Sequence, residues 1–418
     1  GRERVLAFDM GGTTAKACLI TAGRPCIAAE QEVARVYRFK RGSGLPIRAA
    51  TVDLIEIGAG GGSIAGVNAL GLLRVGPESA GAAPRPACYG RGGSEPTVTD
   101  ADLVLGYLDP AFFLGGEIRL DPAAARAAIE HRVARPLGLD LTAAAWGIHQ
   151  LVNEQMAAAA RVHAIERGVD VRQYPLLAFG GAGPVHADRV ARILGLRQWL
   201  TPPGAGAFSA WGLLVAPLRF DVARSRYMLL DAADWPAINT LLAELEAEAR
   251  QQLANAGADP APARVSWQAE LRYHGQGHSV TVDLPRRPLG SADREEIIAC
   301  FESAYRRLYH RLCPGVAVEI LGLRVAAEAP PRPGELFPHL PTLPCPRVGG
   351  REKGRRLAYF PELGGYVPTP IYDRSALPVG FTLTGPALVE EREATAVIGP
   401  GSRAWVRDHG VLEVVVAG

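Results

Sequence analysis

Charge of one sign is what this sequence lacks first. Its 418 residues carry 45 Lys and Arg against 43 Asp and Glu, a net charge of +2. No basic run is interleaved with aromatics, so nothing points to nucleic acid. No apolar stretch reaches the ~18 residues that a membrane span needs. The alanine-rich stretch 143–164 is broken by Asn153, Glu154 and Arg161 and reads as a soluble helix. The six cysteines, Cys18, Cys26, Cys88, Cys300, Cys313 and Cys345, form no CxxC pair and match no zinc module. They imply reduced thiols, and with no leader pattern ahead of the apolar run at Val5 the expectation is a cytoplasmic protein. The 48 glycines and 33 prolines follow no repeat, which excludes collagen and solenoids. No glycine loop is followed by Gly-Lys-Ser/Thr, which excludes a Walker A motif.

What is present is an alternation of short apolar runs, glycine turns and helical stretches. Residues 4–20 read as a strand, a glycine turn and a second strand, and 25–33 continue the meander. A short strand over 52–57 precedes another glycine loop. Residues 74–120 hold many Gly and Pro with little periodicity and read as a long ordered loop, a class of segment that is usually functional. Asp121-Pro122 is a helix start, with the helix stopped by Pro136 and Gly138. Thr142 is placed as the cap of a longer helix ending near Gly168. Residues 175–179 form a buried-type strand, followed by a glycine turn, a helix over 185–194 and a strand over 199–202. This order predicts an α/β domain over 1–224. From about 225 the pattern changes to a charged helix near 232–256 and short alternating strands. Residues 225–418 therefore read as a distinct α+β portion with a β-rich end and a Pro-rich linker near 328–350.

Three glycine loops carry the candidate chemistry. In Asp9-Met-Gly-Gly-Thr-Thr14, Gly11 and Gly12 would let backbone N–H groups approach phosphate oxygens with no Cβ in the way, and the Thr13 and Thr14 hydroxyls add donors. Asp9, at the end of the preceding strand, can hold a hydrated Mg²⁺ or orient an attacking group, which makes it the catalytic and metal candidate. In Glu56-Ile-Gly-Ala-Gly-Gly-Gly-Ser63, the run Gly60, Gly61, Gly62 and Ser63 either cradles a ligand or packs tightly between loops. In Phe179-Gly-Gly-Ala-Gly-Pro184, residues Gly180, Gly181, Ala182 and Gly183 lie between strand and helix and would turn a helix N-terminus toward a nucleotide. Asp100, among Thr97, Thr99 and Asp102, is a candidate for metal or substrate binding, with a turn-stitching role as the alternative. Arg91 reads as a phosphate or carboxylate partner or a structural ion pair, and His186 as a packing or capping residue, with polarisation of a substrate as the alternative. His274 and His278 do not share a helix face, which disfavours a metal pair.

The order Asp9-x-Gly-Gly-Thr, glycine loop, strand-borne Gly-Gly turn resembles the actin/Hsp70/sugar-kinase ATPase superfamily. Longer strings resemble the A subunit of hydantoinases and oxoprolinases: Gly76-Pro-Glu-Ser-Ala-Gly81, Ala87-Cys-Tyr-Gly-Arg-Gly-Gly93, Pro96-Thr-Val-Thr-Asp-Ala-Asp102, Phe113-Leu-Gly-Gly116 and Ala178-Phe-Gly-Gly-Ala-Gly-Pro-Val-His-Ala187. Ala207-Phe-Ser-Ala-Trp-Gly212, Arg272-Tyr-His-Gly-Gln276 and Gly385-Pro-Ala-Leu-Val-Glu390 are similar to the same family.

The resemblance implies a ribonuclease-H-like ATPase domain using ATP with Mg²⁺ or Mn²⁺. The Asp9 turn would be its second phosphate loop and the Gly180 turn its adenosine-side loop. It also implies a small-molecule substrate, a B-type partner subunit, and an N-terminal half of the domain that is not in this sequence. The expected activity is ATP-dependent opening of a cyclic amide such as a hydantoin, 5-oxoproline or a lactam. Lys16, where many relatives are acidic, is more like the branch of ketone carboxylases and some lactamases, so carboxylation is the alternative; a non-catalytic scaffold is a third. Pro84-Arg-Pro86 departs from the family's usual Pro-Gly-Pro.

Overall fold

In the computed structural model the described residues are 2–28, 31–33, 42–47, 49, 51–330, 350 and 352–417. The chain forms two compact units, Gly1–Trp211 with Pro341–Gly418, and Gly212–Leu340.

The first unit is built on a nine-stranded sheet. The strands Val5–Met10, Leu176–Phe179 and Gln198–Thr201 lie side by side in parallel, and Ala15–Thr21 runs antiparallel to the first of them. Leu54–Ile57 pairs with Ala15–Thr21 at one side. On the other side Leu412–Val415 adds antiparallel to Gln198–Thr201, followed by Arg403–Val406 and Thr382–Thr384. The burial of Val5–Met10 alternates as its period-2 pattern predicts: Leu6, Phe8 and Met10 are buried, while Asp9 on the opposite face is only half-buried. The helices Leu141–Glu166 and Gly183–Leu194 pack together and bring Ile148, Val152, Met156, Val190 and Ala191 into the same core.

Local signals explain most element starts. Asp121 accepts from the N–H of Ala123 and Ala124 and Pro122 occupies the first helical turn, as the sequence predicts for Pro122–Ile129. The long helix is capped by Asp140, which accepts from Ala143 N–H at 2.8 Å, and not by Thr142. The 74–120 stretch is more ordered than its composition indicates. It holds the end of the strand Leu73–Ser79 and the helix Val98–Val104, where Thr97 and Asp100 form a capping box.

The second unit is a four-stranded antiparallel sheet in the order Arg219–Leu229, Val318–Glu328, Arg264–Tyr273, Val280–Leu284. The helices Trp235–Asn255 and Arg294–Tyr309 bury Leu242, Leu253 and Phe301 with Leu271 and Val325 of its strands. The sequence groups 225–418 together, but the contacts divide it: the strands beyond 341 belong to the first unit because Leu412 and Val414 complete the core beside Trp199. Most of the Pro-rich linker expected near 328–350 lies outside the described residues.

Candidate nucleotide site

Three backbone turns meet at one end of the central sheet. Residues 11–14 close the hairpin between Val5–Met10 and Ala15–Thr21, with Gly11 N–H donating to the Thr14 carbonyl at 3.1 Å. Gly12 and Thr13 are exposed, and no hydrogen bond among the described residues uses either N–H. A methyl group built on Gly11 or Gly12 would meet nothing within 4 Å, and neither residue has a positive φ. Neither conformation nor packing therefore demands glycine here; what an added side chain would fill is the open space in front of two free donors.

The 60–63 loop is different. A Cβ on Gly60 would lie 2.6 Å from the Gly12 carbonyl carbon and the Thr13 nitrogen, and one on Gly62 2.9 Å from the Gly12 oxygen. Gly61 and Gly62 donate to the carbonyls of Gly11 and Gly12 at 3.0 and 2.6 Å, Gly60 donates to Ser63 Oγ at 2.8 Å, and Ser63 N–H to Gly60 O at 3.0 Å. All four residues are buried and all four N–H groups are committed. This corrects the expectation that Gly60, Gly61, Gly62 and Ser63 contact a cofactor: the loop is a backing that holds the first turn in place.

The third turn closes over Asp9. Gly180 has φ +82°, and a Cβ there would lie 2.5 Å from Asp9 Oδ1, so glycine is required for the approach. Ala182 N–H donates to Met10 O at 3.0 Å, Gly180 N–H to Ala205 O at 2.9 Å, and Gly183 opens the helix Gly183–Leu194. Gly181 is exposed, with no hydrogen bond among the described residues on its N–H. Asp9 itself is held by Ser209, whose Oγ donates to Asp9 Oδ2 at 2.8 Å. Sequence reasoning gave Ser209 no role; the signal was its place in the Ala207–Gly212 string. The neighbouring 204–205 backbone is tied by Glu391, which accepts from Gly204 and Ala205 N–H at 3.0 and 3.2 Å and whose carboxyl is raised by burial.

Asp100 does not join this site. Fully buried, its carboxylate accepts from Cys88 N–H at 2.7 Å, Ala87 N–H at 3.3 Å, and Thr97 N–H and Oγ1, both at 2.8 Å. With its acceptor capacity taken up by local donors it stitches the loop, the alternative that the sequence left open beside metal or substrate binding. Burial, reinforced by Asp100, raises the Cys88 thiol well above the ordinary range.

A buried cluster behind the turns escaped sequence reasoning. His149 Nδ1 lies 2.8 Å from Asp102 Oδ1, and His186 Nε2 lies 3.4 Å from Asp102 Oδ2. His186 Nδ1 meets Asn153 Oδ1 at 3.0 Å, and Asn153 Nδ2 donates to the His149 carbonyl at 2.8 Å. Burial pushes His149 down to about 4 against the pull of Asp102. Burial opposes ionisation of Asp102 too, but the attraction of His186 and the imidazole hydrogen bonds outweigh it and hold the carboxyl at about 2. The two imidazoles stack at 4.7 Å with 20° between planes, and Asp102, His149 and His186 bring their ligand atoms within 4.8 Å of one another, close enough to hold a metal ion as well as to brace the helices. The cluster links the helix Val98–Val104, whose Thr99 bonds the Gly61 carbonyl, to the helix behind the Gly180 turn.

Residues 1–222 match the hydantoinase/oxoprolinase family, and 231–415 match the hydantoinase/oxoprolinase C-terminal domain. The chain belongs to this family. It is 34% identical over 99% of its length to caprolactamase subunit alpha of Pseudomonas jessenii and 32% identical over 99% to the acetophenone carboxylase gamma subunit of Aromatoleum aromaticum. It spans 58% and 57% of those two proteins. The crystal structure of the ATP-dependent caprolactamase from Pseudomonas jessenii superposes with a TM-score of 0.84 at 32% identity, over 100% of this chain and 59% of that one. The family and the α/β fold of the actin-like ATPase type expected from the glycine motifs are thus borne out. Among the described residues no helix of this family member is long and apolar enough to cross a membrane.

Proposed function

We propose that this chain carries the phosphate-handling half of an ATP-using site, in a protein that activates a cyclic amide for ring opening together with a B-type partner subunit. The observation that carries the reading is the 11–14 turn: two glycines that the fold does not require, with uncommitted N–H groups on Gly12 and Thr13, beside the Asp9 carboxylate. Those donors and Gly181 N–H suit phosphate oxygens, and Thr13 and Thr14 add hydroxyls. Asp9, fixed by Ser209, is the residue that would hold Mg²⁺ or Mn²⁺, which would neutralise phosphate charge there. The residues otherwise bind and orient, which is most of what phosphoryl transfer asks of a protein. A phosphorylated amide oxygen makes the carbonyl carbon more open to attack and eases departure of the ring nitrogen. That explains why an unstrained lactam would need ATP.

Similarity to caprolactamase supports the lactam reading; similarity to an acetophenone carboxylase subunit supports a second one, in which the oxygen of a ketone enolate is activated for carboxylation. The test is ATP turnover by the complete natural protein with its partner subunit, offered hydantoin, 5-oxoproline, lactams, or ketones with bicarbonate. Lactam-stimulated turnover is expected. Turnover only with ketones selects the second reading, and none with any substrate overturns both. Asp9→Ala should reduce turnover by roughly 100-fold or more, in the range of losing a principal electrostatic contact, with the thermal unfolding midpoint unchanged within a few degrees. Retained turnover would leave Asp9 a structural residue.

A further inference from the structure

Arginine supplies almost all the positive charge of this chain; lysine stands at only three positions, Lys16, Lys40 and Lys353. A guanidinium and an ammonium differ: the first is a planar fork, the second a compact charge with three rotatable donors. Where composition leans so far to arginine, a remaining lysine calls for a local reason.

Lys16 has one in its register. It pairs directly with Asp9 on the neighbouring strand and with Glu56 on the strand beyond. Directly opposite residues share a face, so Asp9, Lys16 and Glu56 form a row across three strands. The flanking positions Phe8, Ala15, Ala17, Ile55 and Ile57 are buried on the other face, which turns the charged row away from the core. The row ends at the open turn: Lys16 Nζ donates to Thr14 Oγ1 at 3.0 Å and pairs with Glu56 Oε1 at 3.3 Å. Both partners are open to water, at 40% and 45% side-chain exposure, and an ion pair that exposed adds little to folding.

We propose that Lys16 is a phosphate-reading residue of this site and that Glu56 is the carboxylate it gives up when a nucleoside triphosphate binds. The inference rests on the nucleotide reading of the 11–14 turn. An anion at the N–H groups of Gly12 and Thr13 lies beside Thr14, whose hydroxyl already touches the ammonium. The terminal phosphate carries more charge than a carboxylate and takes Glu56's place as partner. In the empty site Glu56 holds the ammonium in position; in the filled site it faces a like charge and opposes binding. The pair therefore weights the site toward a ligand charged enough to displace Glu56.

Binding of Mg·ATP and Mg·ADP to the complete natural protein by titration calorimetry tests this, with wild type, Lys16→Met and Glu56→Gln, and thermal melts as the control for folding. Lys16→Met should weaken Mg·ATP by roughly 10- to 100-fold, the span of a hydrogen bond to a charged group, and Mg·ADP by about 3-fold or less. Glu56→Gln should tighten Mg·ATP by roughly 3- to 10-fold, from removal of one like charge near the surface. Unchanged affinities in both variants, with nucleotide bound by wild type, overturn the role of Lys16 and leave the nucleotide site standing. Equal losses for both nucleotides overturn the reading of the terminal phosphate. A wild type that binds neither nucleotide overturns the nucleotide reading and this inference with it.

Discussion

Two glycines 48 residues apart in sequence meet at the 11–14 turn, and they answer to different demands. Gly60 is needed by the fold, because a Cβ would meet backbone at 2.6 Å; Gly12 is not, because its Cβ would meet nothing within 4 Å. Gly60→Ala should cost about 1–3 kcal/mol of stability, the usual toll of overpacking. Gly12→Ala should leave the unfolding midpoint nearly unchanged and weaken Mg·ATP. Denaturant melts and nucleotide titration of the two variants check this; a reversed pattern would move the site to the 60–63 loop. Both glycines stand in strings that looked alike in sequence. The pattern of Asp9 and its turn was legible because strand, turn and strand are adjacent in the chain. The partition between glycines that face open space and glycines that pack was not, since it depends on which loop lies behind which. Asp100 shows the same limit: its acidity was visible, but its donors from Ala87 and Cys88 arrive from a separate segment.

At the level of elements, caps and periodicities read well where a helix was long or opened on Asp-Pro. The short helix Val98–Val104 was hidden in a Gly- and Pro-rich stretch although Thr97 and Asp100 bear a capping-box signature. It matters because it delivers Asp102 to the two histidines. His149 has a folded pKa of about 4 against 6.5 for a free imidazole, so between those values the unfolded chain takes up a proton that the folded chain refuses. Stability from this group is complete above about pH 6.5 and falls as pH drops toward 4. Asp102, lowered from 3.8 to about 2, adds a second loss below that window. Urea midpoints measured from pH 7 to 4.5 should decline with acid, and His149→Gln should flatten the decline while keeping a donor for Asp102. Equal slopes in the two proteins would remove His149 as its source.

For the molecule as a whole, composition placed the change of character near 225, but contact followed the sheet. Residues 341–418 read like the β-rich continuation of their neighbours because a buried strand such as Leu412–Val415 has no local sign of which sheet it joins. Its partner Gln198–Thr201 carries the fully buried Trp199, and Ser402 and Trp199 both donate to Asp188 of the helix Gly183–Leu194. A chain cut after residue 340 should therefore lose cooperative folding of its first unit. Calorimetry of that truncated chain checks this, with a single native-like transition counting against it.

The closing of that sheet also sets an order of events. Glu391, which ties the backbone at 204–205, and the strand Leu412–Val415, which pairs with Gln198–Thr201, leave the ribosome long after the Asp9 turn and the Gly180 turn. The segment Gly212–Leu340 must be synthesised in between. The sheet that carries the candidate site is thus among the last parts of the molecule to be finished, and a nascent or prematurely terminated chain would hold its glycine turns without the strands that complete that sheet.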